Sequence, residues 1–138
     1  MLRPAHRVLS DFKGVWHVSR EITQANGPAA HFAGMAHWIM TEGGLSYEEA
    51  GTMSQAGQPP MAAERRYFWA DDLRVYFEDG RFFHQVPKEG GTAHHWCEPD
   101  SYTLDYDFGR WPEFSVEWRV QGPRKDYHAH TTYRRESG

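Results

Sequence analysis

The run Ser101-Tyr102-Thr103-Leu104-Asp105-Tyr106-Asp107-Phe108 decides the fold, together with Glu113-Phe114-Ser115-Val116-Glu117-Trp118-Arg119-Val120 beyond a Trp111-Pro112 break. In both runs every second residue is apolar and nearly all those between are polar or charged. Successive side chains on a strand point to opposite faces, so a period of two buries one face and wets the other. This is the signature of half-buried antiparallel strands.

The same grammar extends outward. Leu73-Val75-Phe77 alternates against Arg74-Tyr76-Glu78. Turn marks recur about every eight to twelve residues: Asn26-Gly27-Pro28, Gly43-Gly44, Pro59-Pro60, Asp71-Asp72, Asp79-Gly80, Gly90-Gly91, Pro99-Asp100, Trp111-Pro112 and Gly122-Pro123. Gly supplies positive φ and Pro presets φ, so these are turns with a mechanism. They leave strand segments at 12–24, 30–41, 45–56, 63–70, 73–78, 81–86, 92–98, 101–108, 113–121 and 125–135. Asp79-Gly80 reads as the two-residue loop of a type I′ hairpin. Helix is nearly absent; residues 6–12 have room for one short turn, with Ser10 or Asp11 as cap. The longest connection is 54–63. With no repeat, linker or low-complexity stretch, residues 1–138 read as one domain.

Many short strands at even spacing make a sandwich or a barrel. Consecutive hairpins favour up-and-down neighbours, and closure removes exposed edges. The expected fold is all-β: a single up-and-down antiparallel β-barrel of about ten strands, with a short N-terminal helical turn.

Composition narrows the function classes. The chain has 138 residues, 15% of them aromatic and 25% charged, with net charge −4. Charges of both signs are interspersed, and the clustered basic face that duplex binding needs is missing, so nucleic acid is not an expected partner. No apolar run approaches the ~18 residues of a membrane span, and the N-terminal residues carry no signal-peptide core. Cys97 is the sole cysteine, which excludes an internal disulfide. The expected location is cytoplasmic. A homo-oligomer is left open.

Phe12-Lys13-Gly14-Val15-Trp16 resembles the Gly-x-Trp signature on the first strand of the calycin superfamily, which includes the lipocalins and fatty-acid-binding proteins. The resemblance implies a helical turn before that strand and Trp16 at the closed end of the barrel. It also implies a basic residue from the last strand packed over Trp16, with Arg134 and Arg135 as candidates. Across nearly its full length the chain also looks like a family of uncharacterised small bacterial proteins. The shared features stand here as FKGVWHVSREI, the DGRFFH hairpin and WRVQGPRKDYHAHTTYRR.

If Trp16 points inward, parity puts Phe12, Gly14, Val18, Arg20 and Ile22 inside with it. Later strands contribute Phe32, Gly34, Ala36, Trp38, Leu45, Tyr47, Glu49, Arg65, Tyr67, Trp69, Val75 and Phe77. Tyr102, Leu104, Tyr106, Val116, Trp118, Val120, Tyr127, Ala129, Thr131 and Tyr133 complete the inner face. About ten strands enclose room for one ligand, and rings with a few placed polar groups suit a small molecule. The expected ligand-binding residues are Arg20, Trp38, Tyr47, Glu49, Arg65, Tyr67, His84, His95, Trp118 and Tyr127. An Arg fork matches a carboxylate, so the expected ligand is amphipathic or acidic; the competing reading of the same charges is an internal Arg20–Glu49–Arg65 network. Two further readings compete. One is acid–base catalysis by Glu49, His84 or His95. The other is a plugged barrel acting as a structural or partner-binding domain. His128-x-His130 and His95-x-Cys97 have zinc-ligand chemistry, but no third and fourth ligand stands at a diagnostic spacing; no metal or other cofactor is expected.

Overall fold

The structure is a computed structural model that describes residues 6–136. A 3-10 turn (Leu9–Asp11) leads into ten strands: β1 (Gly14–Gln24), β2 (Ala30–Thr41), β3 (Gly44–Gln55), β4 (Met61–Ala70), β5 (Arg74–Phe77), β6 (Phe82–Gln85), β7 (Gly91–Cys97), β8 (Asp100–Arg110), β9 (Glu113–Gln121) and β10 (Asp126–Arg135). They form one antiparallel sheet in the order β6-β5-β4-β3-β2-β1-β10-β9-β8-β7. First and last strands pair from Trp16↔Arg135 to Gln24↔Tyr127, which curls the sheet into a nearly closed barrel. A seam without a hydrogen-bonded ladder separates β6 from β7. The up-and-down barrel and its helical turn are as the sequence predicts.

Alternation governs burial. On β1, Trp16, Val18 and Arg20 are buried while His17, Ser19 and Glu21 are exposed. Register lines up inward rows across strands. Trp16 faces Ala36, which faces Glu49, which faces Arg65. The next row is Val18, Gly34, Gly51 and Ala63. At Gly34 an added Cβ would lie 2.2 Å from the Ala50 carbonyl oxygen, and at Gly51 2.2 Å from that of Ala33. Only glycine allows this close backbone approach, a common device where a barrel sheet bends.

Two local expectations need correction. Asp79-Gly80 does close a hairpin, but not through a type I′ turn. Gly80 has φ +91° while Asp79 is not among the positive-φ residues. The Gly80 amide donates to Phe77 O at 2.9 Å, and the Phe77 amide donates to Arg81 O at 2.8 Å. This is a three-residue loop, 78–80, built as a type I turn followed by a left-handed glycine. The second correction concerns β6. Even alternation puts Phe82 and His84 on one face, but a register shift between Val75 and Tyr76 breaks the parity. Phe83 and His84 are both buried, and Phe82 is 48% exposed.

Candidate functional site

The floor of the barrel is a packed set of rings. Phe12 lies 5.1 Å from Trp69 and 5.3 Å from Trp111, and Trp16 lies 5.2 Å from Phe114. Trp16 Nε1 donates to Phe12 O at 2.8 Å. The Arg135 guanidinium covers the Trp16 ring at 4.2 Å and donates to the carbonyl oxygens of Lys13 (2.8 Å) and Asp11. The basic residue over the first-strand tryptophan is therefore Arg135.

Above the floor lies a buried ionic network. Arg20 donates from Nη1 and Nη2 to the two oxygens of Glu49, both at 2.8 Å, and from Nε to Thr131 Oγ1 at 2.8 Å. The Tyr47 hydroxyl donates to Glu49 Oε1 at 2.5 Å and lies 2.9 Å from the Tyr133 hydroxyl. Such bidentate, charge-assisted bonds are the strong ones. Burial opposes both charges, but their mutual bonds outweigh it: Arg20 is raised above its ordinary pKa and Glu49 is lowered below its own. Burial, with the nearby Glu49 charge, pushes Tyr133 up to about 12.

The network faces a central cavity of about 30 Å³, enough for a water or two. Its lining includes Trp38, Tyr47, Trp69, Phe83, His84, Tyr106, Phe114, Val116 and Tyr133. Arg65, Tyr67 and Trp118 are the lining residues that are half-exposed, so they form its mouth. The Arg65 guanidinium lies 5.3 Å from the Trp118 ring centre, and its Nε is 4.0 Å from Glu49. Two polar atoms of the wall, Trp38 Nε1 and His84 Nδ1, are buried without a partner. His84 Nε2 meets the Tyr106 hydroxyl at 2.8 Å. Burial, with help from His95, lowers His84 to about 3, so the ring stays neutral.

Of the residues expected to bind a ligand, Arg20, Trp38, Tyr47, Glu49, Arg65, Tyr67, His84 and Trp118 line this cavity; Tyr127 and His95 lie outside it. Tyr127 pairs with Gln24 at the far end of β10, well beyond the Thr131 level. His95 stands at the seam, with its ring 5.2 Å from Phe83 across from β7 to β6. Even alternation along β6 does not single out Phe83, because Phe83 is itself the extra residue that β6 carries opposite the Val75–Tyr76 step of β5. Trp69, Tyr106 and Tyr133 were on inward faces, but nothing in their spacing marked them as wall rather than core. His128 and His130 face outward, as parity requires, and share Glu117. For acid–base chemistry the cavity offers little: Glu49 has both oxygens engaged, and His84 does not protonate near neutrality.

Comparison with known proteins fits this geometry. The model of a family of unknown function, DUF6314, matches residues 12–135, and the chain belongs to that family. No curated protein matches. Among solved structures, the S-type phycobiliprotein lyase from Guillardia theta is similar, with TM-score 0.66 and 7% identity over 94% of this chain and 91% of that one. The likeness is one of fold, an all-β barrel.

Proposed function

We propose that this DUF6314 protein is a binding barrel for a small amphipathic anion, with the acid group at Arg65 and the apolar part among the wall rings. One observation carries the reading: the charged groups around the cavity do not cancel. Glu49 is consumed by Arg20 through two bonds of 2.8 Å, which leaves Arg65 as a surplus positive charge at the mouth. Arg20, offered with Arg65 by the sequence as the anion's partner, already turns all three of its nitrogens to Glu49 and Thr131. An incoming carboxylate meets a planar donor fork already positioned over an aromatic face. Because the cavity is about 30 Å³, a ligand enters by turning Trp118 and Tyr67 outward at the mouth. The lyase from Guillardia theta supports only the shape of the container.

Thermal melts with fatty and aromatic acids test the reading, beside native mass spectrometry for a retained ligand. Acids raise the melting temperature by mass action, the matching alcohols do so less, and Arg65→Met removes the difference. Equal shifts with acids and alcohols would overturn the anion; no shift with any compound would leave a plugged barrel that acts through its surface. The small cavity favours that second reading.

A further inference from the structure

A ligand larger than a water or two needs more room than the cavity holds. Its volume is about 30 Å³, whereas a cavity of about 150 Å³ is the size that takes benzene. Turning Trp118 and Tyr67 outward opens the way in, and the room beneath them has to come from the wall. The wall rings are not held alike. Trp38, Trp69, Tyr106, Phe114 and Tyr133 sit on strands with a hydrogen-bonded neighbour on both sides. Phe83 sits on β6, an edge strand of four residues. The β5 register pairs Tyr76 with Phe82 and Val75 with His84, and passes over Phe83. Across the seam the Phe83 backbone meets the His95 side chain rather than a strand ladder. A residue outside the ladder can turn while the pairs beside it hold, and such loosely bonded segments open first.

The place that Phe83 fills is made of rings. Its own ring is 1% exposed. It lies stacked 4.5 Å from Phe77, with His95 at 5.2 Å, Trp118 at 5.3 Å, Tyr67 at 5.8 Å and Tyr102 at 5.9 Å. These five come from β4, β5, β7, β8 and β9, so the cage remains when β6 gives up its ring. Trp118 belongs to both ends of the site, because the Arg65 guanidinium lies 5.3 Å from its ring centre. An aromatic group in the cage therefore stands a short chain away from an acid at Arg65.

We infer that Phe83 is a removable plug, and that a ligand's aryl group takes its place among Tyr67, Phe77, His95, Tyr102 and Trp118; the ligand class is an aryl group on a short-chain carboxylic acid. This rests on the anion-binding reading above and adds the site of the apolar part. A phenyl group arriving replaces the stacked and edge contacts of the phenyl group leaving, which a straight alkyl chain does not.

Calorimetric titration with 3-phenylpropionate, its alcohol 3-phenylpropanol and straight-chain hexanoate tests it, on the wild-type protein and on Phe83→Ala. The aryl acid should bind the wild-type protein roughly three- to tenfold more tightly than hexanoate, the worth of an aromatic pair beyond its area. Phe83→Ala removes the plug, so the aryl acid should bind it at least roughly tenfold more tightly than the wild-type protein. NMR on the wild-type protein gives a readout that does not depend on the variant folding. Bound 3-phenylpropionate should show contacts to Phe77 and Trp118, and the Phe83 ring should lose its own contacts to both. The plug is wrong if the Phe83 ring keeps these contacts with ligand bound, or if hexanoate binds as well as the aryl acid. It is equally wrong if Phe83→Ala binds no better than wild type, or if only Phe83→Ala binds acids. In each of these cases the anion at Arg65 stands as long as the acid outbinds its alcohol. If neither protein binds an acid, the anion reading falls and the plug with it.

Discussion

Three arginines lie over tryptophans among the described residues, Arg7 over Trp111, Arg65 over Trp118 and Arg135 over Trp16, and the last two contrast the mouth with the floor. Arg135 sits 4.2 Å from the Trp16 ring centre, and Arg65 sits 5.3 Å from that of Trp118. At the floor the tryptophan is fully buried, its N–H is bonded, and the arginine is fastened to two backbone carbonyl oxygens. At the mouth both partners are half-exposed, and the arginine is only at the edge of an ion pair, 4.0 Å from Glu49. The same pair of residue types thus serves two ends differently. A stack whose polar atoms are all spoken for holds the structure shut, whereas a loosely tethered one can exchange its partner for a ligand.

The comparison breaks first at the floor. Trp16→Ala should cost about 3–5 kcal/mol, the usual cost of emptying a large core site, measured by denaturant melts. A loss under about 1 kcal/mol would mean that the floor is not the keystone. The ionic layer between the ends comes next. Arg20→Met or Glu49→Leu alone strands a buried charge and should cost about 3–5 kcal/mol, while the double variant should recover most of that loss. If the double variant is no better than either single one, the pair is not a unit.

Acid sharpens the contrast, because the ring floor does not titrate and the middle does. His84 has a folded pKa of about 3 and an unfolded value of about 6.5. Between those values the unfolded chain holds the extra proton, so stability is full above about pH 6.5 and falls on acidification. The slope reaches at most about 1.4 kcal/mol per pH unit for one proton. Glu49, held below its ordinary pKa, adds to the loss under about pH 4.3. Melting temperatures from pH 7 to 4 should show the decline, and His84→Phe should flatten its upper part. The smallest effect is expected at the mouth: Arg65→Met should change stability by less than about 1 kcal/mol, even as it reduces the shift produced by acids to that of the matching alcohols. A large destabilisation would place Arg65 with Arg135 as a structural clasp.

Period-two patterning is a local property, so strands and inner faces could be read directly. Trp16, Val18 and Arg20 on one side of β1 and His17 and Ser19 on the other need no partner strand to be assigned. Phe83 and His84 show where that reading ends, because β6 carries Phe83 as an extra residue opposite the Val75–Tyr76 step of β5, and a bulge is not written in either residue. The choice of turn at Asp79-Gly80 failed for a related reason: one positive-φ glycine serves both a two-residue and a three-residue loop. Within the site, a buried Arg and Glu were legible, but which arginine the Glu would take was not. That choice depends on distances across β1, β3 and β4. Nor does the sequence say how tightly the rings fill the interior, since that depends on their rotamers.

The pairing of β1 with β10 also governs the order in which the molecule can be made. Residues 16–24 find their partners at 127–135, more than a hundred positions later along the chain. Thr131 and Tyr133, which complete the shell around Arg20 and Glu49, arrive on that same last strand. During synthesis β1 to β4 can form as successive hairpins, yet their central salt bridge stays unroofed until β10 has emerged. Such long-range closure slows folding, and it leaves a half-built sheet with bare edges for the time it takes the ribosome to finish.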